Sequence, residues 1–453
     1  MSARLFPFAQ TIRTPLTRMK ADRKTVPTPK RLLRAPVIVD AAEAEVIQAL
    51  RQHGALSRSA VSQITGWSKA KTSLEIHALL AKGFIAEVGE GLSEGGRKPR
   101  MLRLNNQLGY LLGIDIGATS VDVCLTDVAG GLMGALAEPA DVRQPPAEFL
   151  SRVCSLSVRL LESLGLKPEQ VLGIGVGVPG PVDFQRGMLV APPLMPDWEN
   201  YPIRDAFQPS FPSAFVVVDN DVNIMALGEL RAGDGVGLEH FLFIKIGTGI
   251  GCGIVSNGQM HRGSQGCAGD IGHICVDKSG PTCRCGNTGC LEAMAAGPAI
   301  VEKAVQAARA GQSPLLLGML EANGGALHAE DVNAACREGD QAALEIIRSS
   351  GQMIGDVLAS LVNFFNPSHI FISGGIANFG NHLLVAIRRA VLQRSLPLAT
   401  TRLSINFSRM GTAAGINGAV ALAREYLFMV EQNPVQQMQP TRITAKIGGA
   451  PSI

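Results

Sequence analysis

Apolar positions along this chain fall into two regimes. In AAEAEVIQALRQHGALSRSAVSQITGWSKAKTSLEIHALLAKGFIAEVGEG, Val46, Ile47 and Leu50, then Val61 and Ile64, recur at helical spacing, with a break at Gly54-Ala55-Leu56. Ser57 is placed to cap a second short helix, and Thr65-Gly66-Trp67 reads as a tight turn. Ser68 would cap a third helix with Leu74, Leu79 and Leu80 on its core face. Phe84 to Val88 then alternates as a strand, GEGLSEGGRKPR reads as a basic glycine-rich hairpin, and Met101 to Leu104 returns as a second strand. Three short helices followed by a hairpin predict a winged helix-turn-helix over 36–103.

From Gly109 the period shortens to that of strands. YLLGIDIGATSVDVCLTD is an apolar run, a glycine turn and an alternating return strand. VLGIGVGVPGPVD and AFVVVDNDVNIMALGEL are further strands that end in polar turns, and FLFIKIGTGIGCGIV repeats the strand-turn-strand pattern. A glycine-turned hairpin in each half predicts two similar α/β lobes facing one cleft across 104–430, with helices filling 292–365.

Glycine turns let backbone NH groups approach phosphate oxygens with no Cβ in the way. On that ground Asp115, Gly117, Thr119, Gly247, Thr248, Gly249, Gly251, Gly374 and Gly375 are candidate nucleotide-binding residues, although tight hairpins need glycine for purely structural reasons too. Asn220 and Asp221 of DNDVN follow an apolar strand, where open α/β sheets place their sites. Asp221 can act as a general base or the pair can cap the next helix, and one helix start can do both. His273, Cys283, Cys285 and Cys290 supply one nitrogen and three sulfurs on a loop with Gly280, Pro281, Gly286 and Gly289, the complement of a closed structural zinc site. Such a site has no open position for catalysis. Cys252, Cys267 and Cys275 fall outside that spacing and read as small core residues.

Composition narrows the class. With 453 residues, 46% hydrophobic, 17% charged and 51 glycines, the chain reads as a glycine-rich α/β protein of two or three domains, and no apolar run approaches the ~20 residues of a membrane helix. The net charge is only +3, but nine Lys or Arg residues lie between Met1 and Arg34 with Asp22 the only acid. The 1–35 leader therefore reads as basic and disordered, with an organelle transit peptide as the alternative, and 431–453 as a flexible tail. Nine cysteines, three of them clustered with a histidine, suit a reducing cytoplasm better than a secreted disulfide framework. Lys69, Lys71, Thr72 and Ser73 at the start of the third helix, with Arg97, Lys98 and Arg100 on the wing, are types that contact phosphates and base edges. The alternative for this head is a helical dimerisation module with a solvated surface.

The stretches GIDIGATS, GVGVPGPVD, DNDVN, IGTGIGCGI, GCAGDIGH, CRCGNTGCLE and FISGG, in this order over 104–425, resemble the ROK family of sugar-responsive repressors and sugar kinases. The head resembles that of the regulator branch. The resemblance implies a two-lobed actin/hexokinase-like (ribonuclease H-like) fold. It further implies that Asn220, Asp221, Asp270, His273 and Glu292 meet a sugar, with His273 binding zinc through its other ring nitrogen. Asp270 stands where the family usually has glutamate, which draws that carboxylate back by about a bond length. Ala118, Ser120 and Cys252 depart from the kinase pattern, while Asp115, Gly117 and Thr119 keep it. The expected function is a DNA-binding regulator, a homodimer or homotetramer on operator DNA, responding to a sugar or sugar phosphate. The alternative is a sugar kinase using ATP and Mg²⁺ with Asp221 as base.

Overall fold

The computed structural model describes residues 36–90, 98–375, 379 and 381–430; the leader, the wing tip with Arg97, and the tail lie outside these. The described residues divide into two compact units, Pro36–Leu104 with Phe428–Val430, and Asn105–Leu427.

The smaller unit starts with strand β1 (Val37–Val39) and helix α1 (Ala41–His53). A reciprocal box caps α1: Asp40 Oδ1 accepts from the Glu43 NH (2.8 Å) and the Asp40 NH donates to Glu43 Oε2 (3.4 Å). Strand β2 (Leu56–Ser57) leads into α2 (Arg58–Thr65), capped by Ser57, whose Oγ accepts from Ala60 NH (3.1 Å). Gly66 ends α2 in the left-handed region at φ 69°, and Ser68 caps α3 (Lys69–Ala81). Strands β3 (Ile85–Glu90) and β4 (Arg100–Leu104) complete a sheet of order β2-β4-β3, the winged-helix arrangement.

Three sequence expectations fail in this unit. The buried face of α3 is Thr72, Ile76 and Leu79, whereas Leu74 is 67% exposed, so Leu74 is not core. Thr72 is buried and its Oγ1 donates to Ser68 O (3.0 Å), which removes it from any exposed recognition face. Residues Phe428–Val430, expected in the second domain, pair in parallel with β1 and belong to the smaller unit.

The larger unit has two lobes of matching topology. In the first, β5 (Tyr110–Ile116), β6 (Ser120–Asp127) and β7 (Leu132–Pro139) form an antiparallel meander. Helix α4 (Pro146–Ser163) precedes β8 (Val171–Val178), which runs parallel to β5. A small hairpin β9 (Val182–Asp183) and β10 (Met188–Leu189), then α5 (Ile203–Phe207), lead to β11 (Phe215–Asn220), giving the order β11-β8-β5-β6-β7. Helix α6 (Asp221–Ala232) crosses to the second lobe, where β12 (Phe241–Ile246), β13 (Ile250–Ser256) and β14 (Gln259–His261) repeat the meander. Helices α7 (Leu291–Ala295), α8 (Gly297–Arg309), α9 (Pro314–Ala322), α10 (Ala329–Arg337) and α11 (Gln341–Phe365) follow. Strand β15 (His369–Ser373), α12 (Asn381–Arg394), α13 (Pro397–Thr400) and β16 (Ser404–Phe407) close the order β14-β13-β12-β15-β16. Helix α14 (Ala413–Leu427) returns to the first sheet and runs into β17 (Phe428–Val430).

Helices α6 and α14 pack against each other through glycine. A Cβ on Gly418 would sit 1.6 Å from Ile224 O, and one on Gly228 would sit 2.1 Å from Ala414 O. On the sheet side, a Cβ on Gly175 of β8 would reach 1.9 Å from Ala419 O. Backbone-to-backbone contact of this kind leaves nothing flexible to give way. Gly418→Ala is therefore expected to destabilise the unit by about 1–3 kcal/mol, despite alanine's better helix propensity. Gly318→Ala in α9, where a Cβ meets open space, should leave the melting temperature unchanged or raise it. Thermal melts compare the two, and a Gly418→Ala protein that melts at or above the parent contradicts the close-packing account.

Candidate functional site

The cleft between the lobes holds a cavity of about 680 Å³, within the usual range for small-molecule sites. Its lining includes Asp115, Gly117, Thr119, Asn220, Asp221, Gly247, Thr248, Gly249, Gly251, Asp270, His273, Glu292, Gly374 and Gly375, so the candidates from both lobes share one space.

Strand ends and helix starts set the polar groups. Asn220 closes β11 and caps α6: its Oδ1 accepts from Val222 NH (2.9 Å) and Asn223 NH (3.3 Å), and its Nδ2 donates to Gly180 O (2.8 Å). Asp219, just before it, is buried and accepts from Asn220 NH (2.8 Å), Asn223 Nδ2 (2.9 Å) and Arg262 Nε (2.7 Å). Arg262 follows β14, so this ion pair ties the two lobes beside Asn220. Asp221 is the first residue of α6, only 5% exposed, and its Oδ2 accepts from the Lys245 ammonium. Burial pushes the Asp115 carboxyl up to about 7; nearby Lys245 works against the rise, and Asp221 and Asp122 add to it. For Lys245, burial works to lower the pKa, yet the Asp221 and Asp115 charges outweigh it and hold it above the ordinary lysine value.

The glycines do unequal work. A Cβ on Gly251 would press on Val222 Cγ2 (2.8 Å) and one on Gly253 on Ala226 Cβ (2.4 Å), so these two admit α6 against β13. Gly249 faces Glu292, whose Oε2 accepts from Ile250 NH (3.1 Å).

The His/Cys group meets at the other wall. The ligand atoms of His273, Cys283, Cys285 and Cys290 all lie within 4.8 Å of one another. Cys285 Sγ is 3.7 Å from Cys290 Sγ, and Cys283 Sγ is 3.6 Å from His273 Nδ1. A tetrahedral centre with metal–sulfur bonds of about 2.3 Å spaces its ligands about 3.7 Å apart, so the donor set fits a closed metal site. Gly289 at φ 69° makes the wrap possible, since a Cβ there would meet Asp277 O at 1.6 Å. The loop links His273 to Glu292, because Cys290 immediately precedes α7, which carries Glu292 in its first turn. His273 Nε2, on the far side of the ring from Nδ1, lies 4.0 Å from Asp270 Oδ1. Among the other cysteines, Cys252 is buried as expected, but Cys267 and Cys275 are exposed and are not core residues.

Sequence reasoning passed over Lys245, Asp122, Asp219 and Arg262. Lys245 had a usable signal, as the one charged residue in the strand FLFIKI, in which every other residue is buried. In the smaller unit, Lys69, Lys71 and Ser73 are exposed on α3, and Lys71 Nζ lies 4.0 Å from the centre of the Trp67 ring. Lys98 is exposed; Arg100 at the base of the hairpin pairs with Glu87 (2.5 Å).

Residues 111–426 match the ROK family. The chain is 28% identical over 378 residues to the xylose repressor of Caldicellulosiruptor bescii, covering 83% of this chain and 94% of that protein. A solved ROK family transcriptional regulator, a homolog of the E. coli MLC protein, superposes with TM-score 0.72 at 27% identity, covering 85% of this chain and 95% of the other. A ROK family glucokinase from Streptomyces griseus, solved with glucose and AMPPNP, gives TM-score 0.62 at 31% identity, covering 70% of this chain and 100% of the other.

The donor atoms of this cluster can be tested for metal directly. Elemental analysis of the purified protein is expected to find about one thiophilic divalent metal per chain, lost in Cys285→Ser and Cys290→Ser and kept in Cys267→Ser. Metal retained in both cluster variants contradicts the assignment.

Proposed function

The chain belongs to the ROK family, and on that premise we propose that it is a sugar-responsive, DNA-binding transcriptional repressor. One observation carries this reading: the regulator alignment extends over 85% of the chain and the glucokinase alignment over 70%. The difference matches the size of the winged-helix unit, which a kinase does not need. In this reading the protein represses carbohydrate genes in the cytoplasm as a homodimer or homotetramer, with paired recognition helices on a palindromic operator.

Asn220, Asp221, Asp270, His273 and Glu292 would hold the sugar hydroxyls. Zinc on His273 Nδ1 and the three cysteines would fix the loop that presents His273 Nε2 and Glu292, supplying rigidity and no chemistry. The cavity lining carries the carboxylates of Asp115, Asp122, Asp221, Asp270, Glu292 and Glu330 against the cations Lys245 and Arg284. That excess of negative charge favours an unphosphorylated sugar over a sugar phosphate. A sugar kinase using ATP and Mg²⁺ is the second reading, supported by the full-length glucokinase superposition. ADP release over a hexose panel, with Asp221→Asn as control, separates the two.

Fluorescence anisotropy with DNA from the protein's own promoter region tests the main reading. Binding should weaken steeply with salt and shift in affinity with one sugar of a panel. Lys69→Ala and Lys71→Ala should each weaken binding uniformly across sequences and lower the salt slope by about 1. Absence of binding at low salt, with every sugar and without, overturns the proposal.

A further inference from the structure

We propose that Lys245 is a specificity-determining residue: a built-in cation that takes the place of the divalent metal of a phosphoryl-transfer cleft, so that the site holds a sugar and rejects metal-nucleotide. The inference rests on the cleft reading above and deepens it.

Lys245 lies on β12, opposite Gly251 of β13 on one side and Ser373 of β15 on the other. All three line the cavity, as do Asp115, Asp122 and Asp221. The Lys245 ammonium is bonded to Asp221 Oδ2, and a quarter of its side chain is open to the cleft. Asp115 is close enough for its charge to act on the lysine.

Chemistry follows from that placement. A sugar hydroxyl that is to attack a phosphoryl group must pass its proton to a carboxylate oxygen, and the transferring group needs a cation to balance its charge. Lys245 fills one of those oxygens with an N–H donor that carries a full positive charge. Its ammonium, reaching across from the second lobe, also sits against the carboxylates of the first, the kind of place in which oxygen ligands would hold Mg²⁺. A second cation there would meet like charge at short range in a site of low dielectric. A neutral sugar adds no charge and can still donate its hydroxyls to the remaining oxygens. Gly415 on α14 brings backbone against Asp115 from a third side: a Cβ there would lie 1.8 Å from Asp115 Oδ2. The missing Cβ at Gly415 thus lets Asp115 lie close against the α14 backbone.

The test uses Mn²⁺ alone as probe on the zinc-loaded full chain, read by loss of the free Mn²⁺ resonance and by thermal melting. Wild type and Lys245→Arg are expected to show no saturable Mn²⁺ site in the cleft. Lys245→Met, of similar volume and neutral, should bind Mn²⁺ at least about tenfold more tightly and melt at a higher temperature when Mn²⁺ is present. Adding Asp221→Asn to Lys245→Met should abolish the gain. If loss of the lysine loosens the fold, Mn²⁺ should restore it, since the metal then supplies the missing charge. A wild-type cleft that takes up Mn²⁺ as tightly as Lys245→Met, or a Lys245→Met chain that gains nothing from Mn²⁺ in either readout, overturns the proposal. No sugar enters the experiment, so failure of the sugar-sensing reading registers separately, in the sugar panel.

Discussion

The backbone contact between α6 and α14 governs the larger unit. Both helices lie between the two sheets, and their separation is set by Gly228 and Gly418, where any side chain would collide with a carbonyl of the facing helix. Each helix begins at the cleft. Asp221 opens α6, and Gly411 and Thr412, which line the cavity, stand just ahead of α14. The place of the Asp221 carboxylate is thus a consequence of how closely two helices can approach. The glycine content of the chain serves this packing as much as it serves any ligand: Gly175, Gly251 and Gly253 each face a helix.

Two different constraints then complete the cleft. On one wall, the His/Cys cluster gathers a loop that has little regular structure of its own, and that loop runs from His273 to Glu292. On the other, the neighbouring carboxylates Asp115 and Asp221, the second of them buried, require a counter-charge, which Lys245 supplies from the opposite lobe. In the proposed function, the first constraint would supply rigidity and no chemistry. The second bears on whether the cleft can turn a sugar over, because the same ammonium that stabilises Asp221 occupies its oxygen.

Much of this was legible in the sequence, and the failures have physical causes. Local signals read well: the caps at Ser57, Ser68 and Asn220, the two glycine-turned hairpins, and a donor set whose spacing lies within one loop. Leu74 and Thr72 were misread because a helical period does not by itself give the phase of a short helix; packing of Ile76 and Leu79 put Thr72 inside and Leu74 outside. Cys267 and Cys275 followed their residue type into a predicted core, whereas they sit on exposed loops. The pairing of Phe428–Val430 with Val37–Val39 joins opposite ends of the chain, and no local pattern announces such a strand. Lys245 was visible as a charge in an apolar strand, but its partner Asp221 becomes apparent only once the lobes face each other.

Under the proposed function, sugar occupancy of the cleft controls DNA binding with no chemical turnover. Sugar titrations of the DNA-bound protein, followed by anisotropy with and without Mg²⁺-ATP, test it most directly. The same sugar-induced change in DNA affinity is expected under both conditions, stable with time. A sugar response that requires Mg²⁺-ATP, or that decays as ADP accumulates, would contradict it.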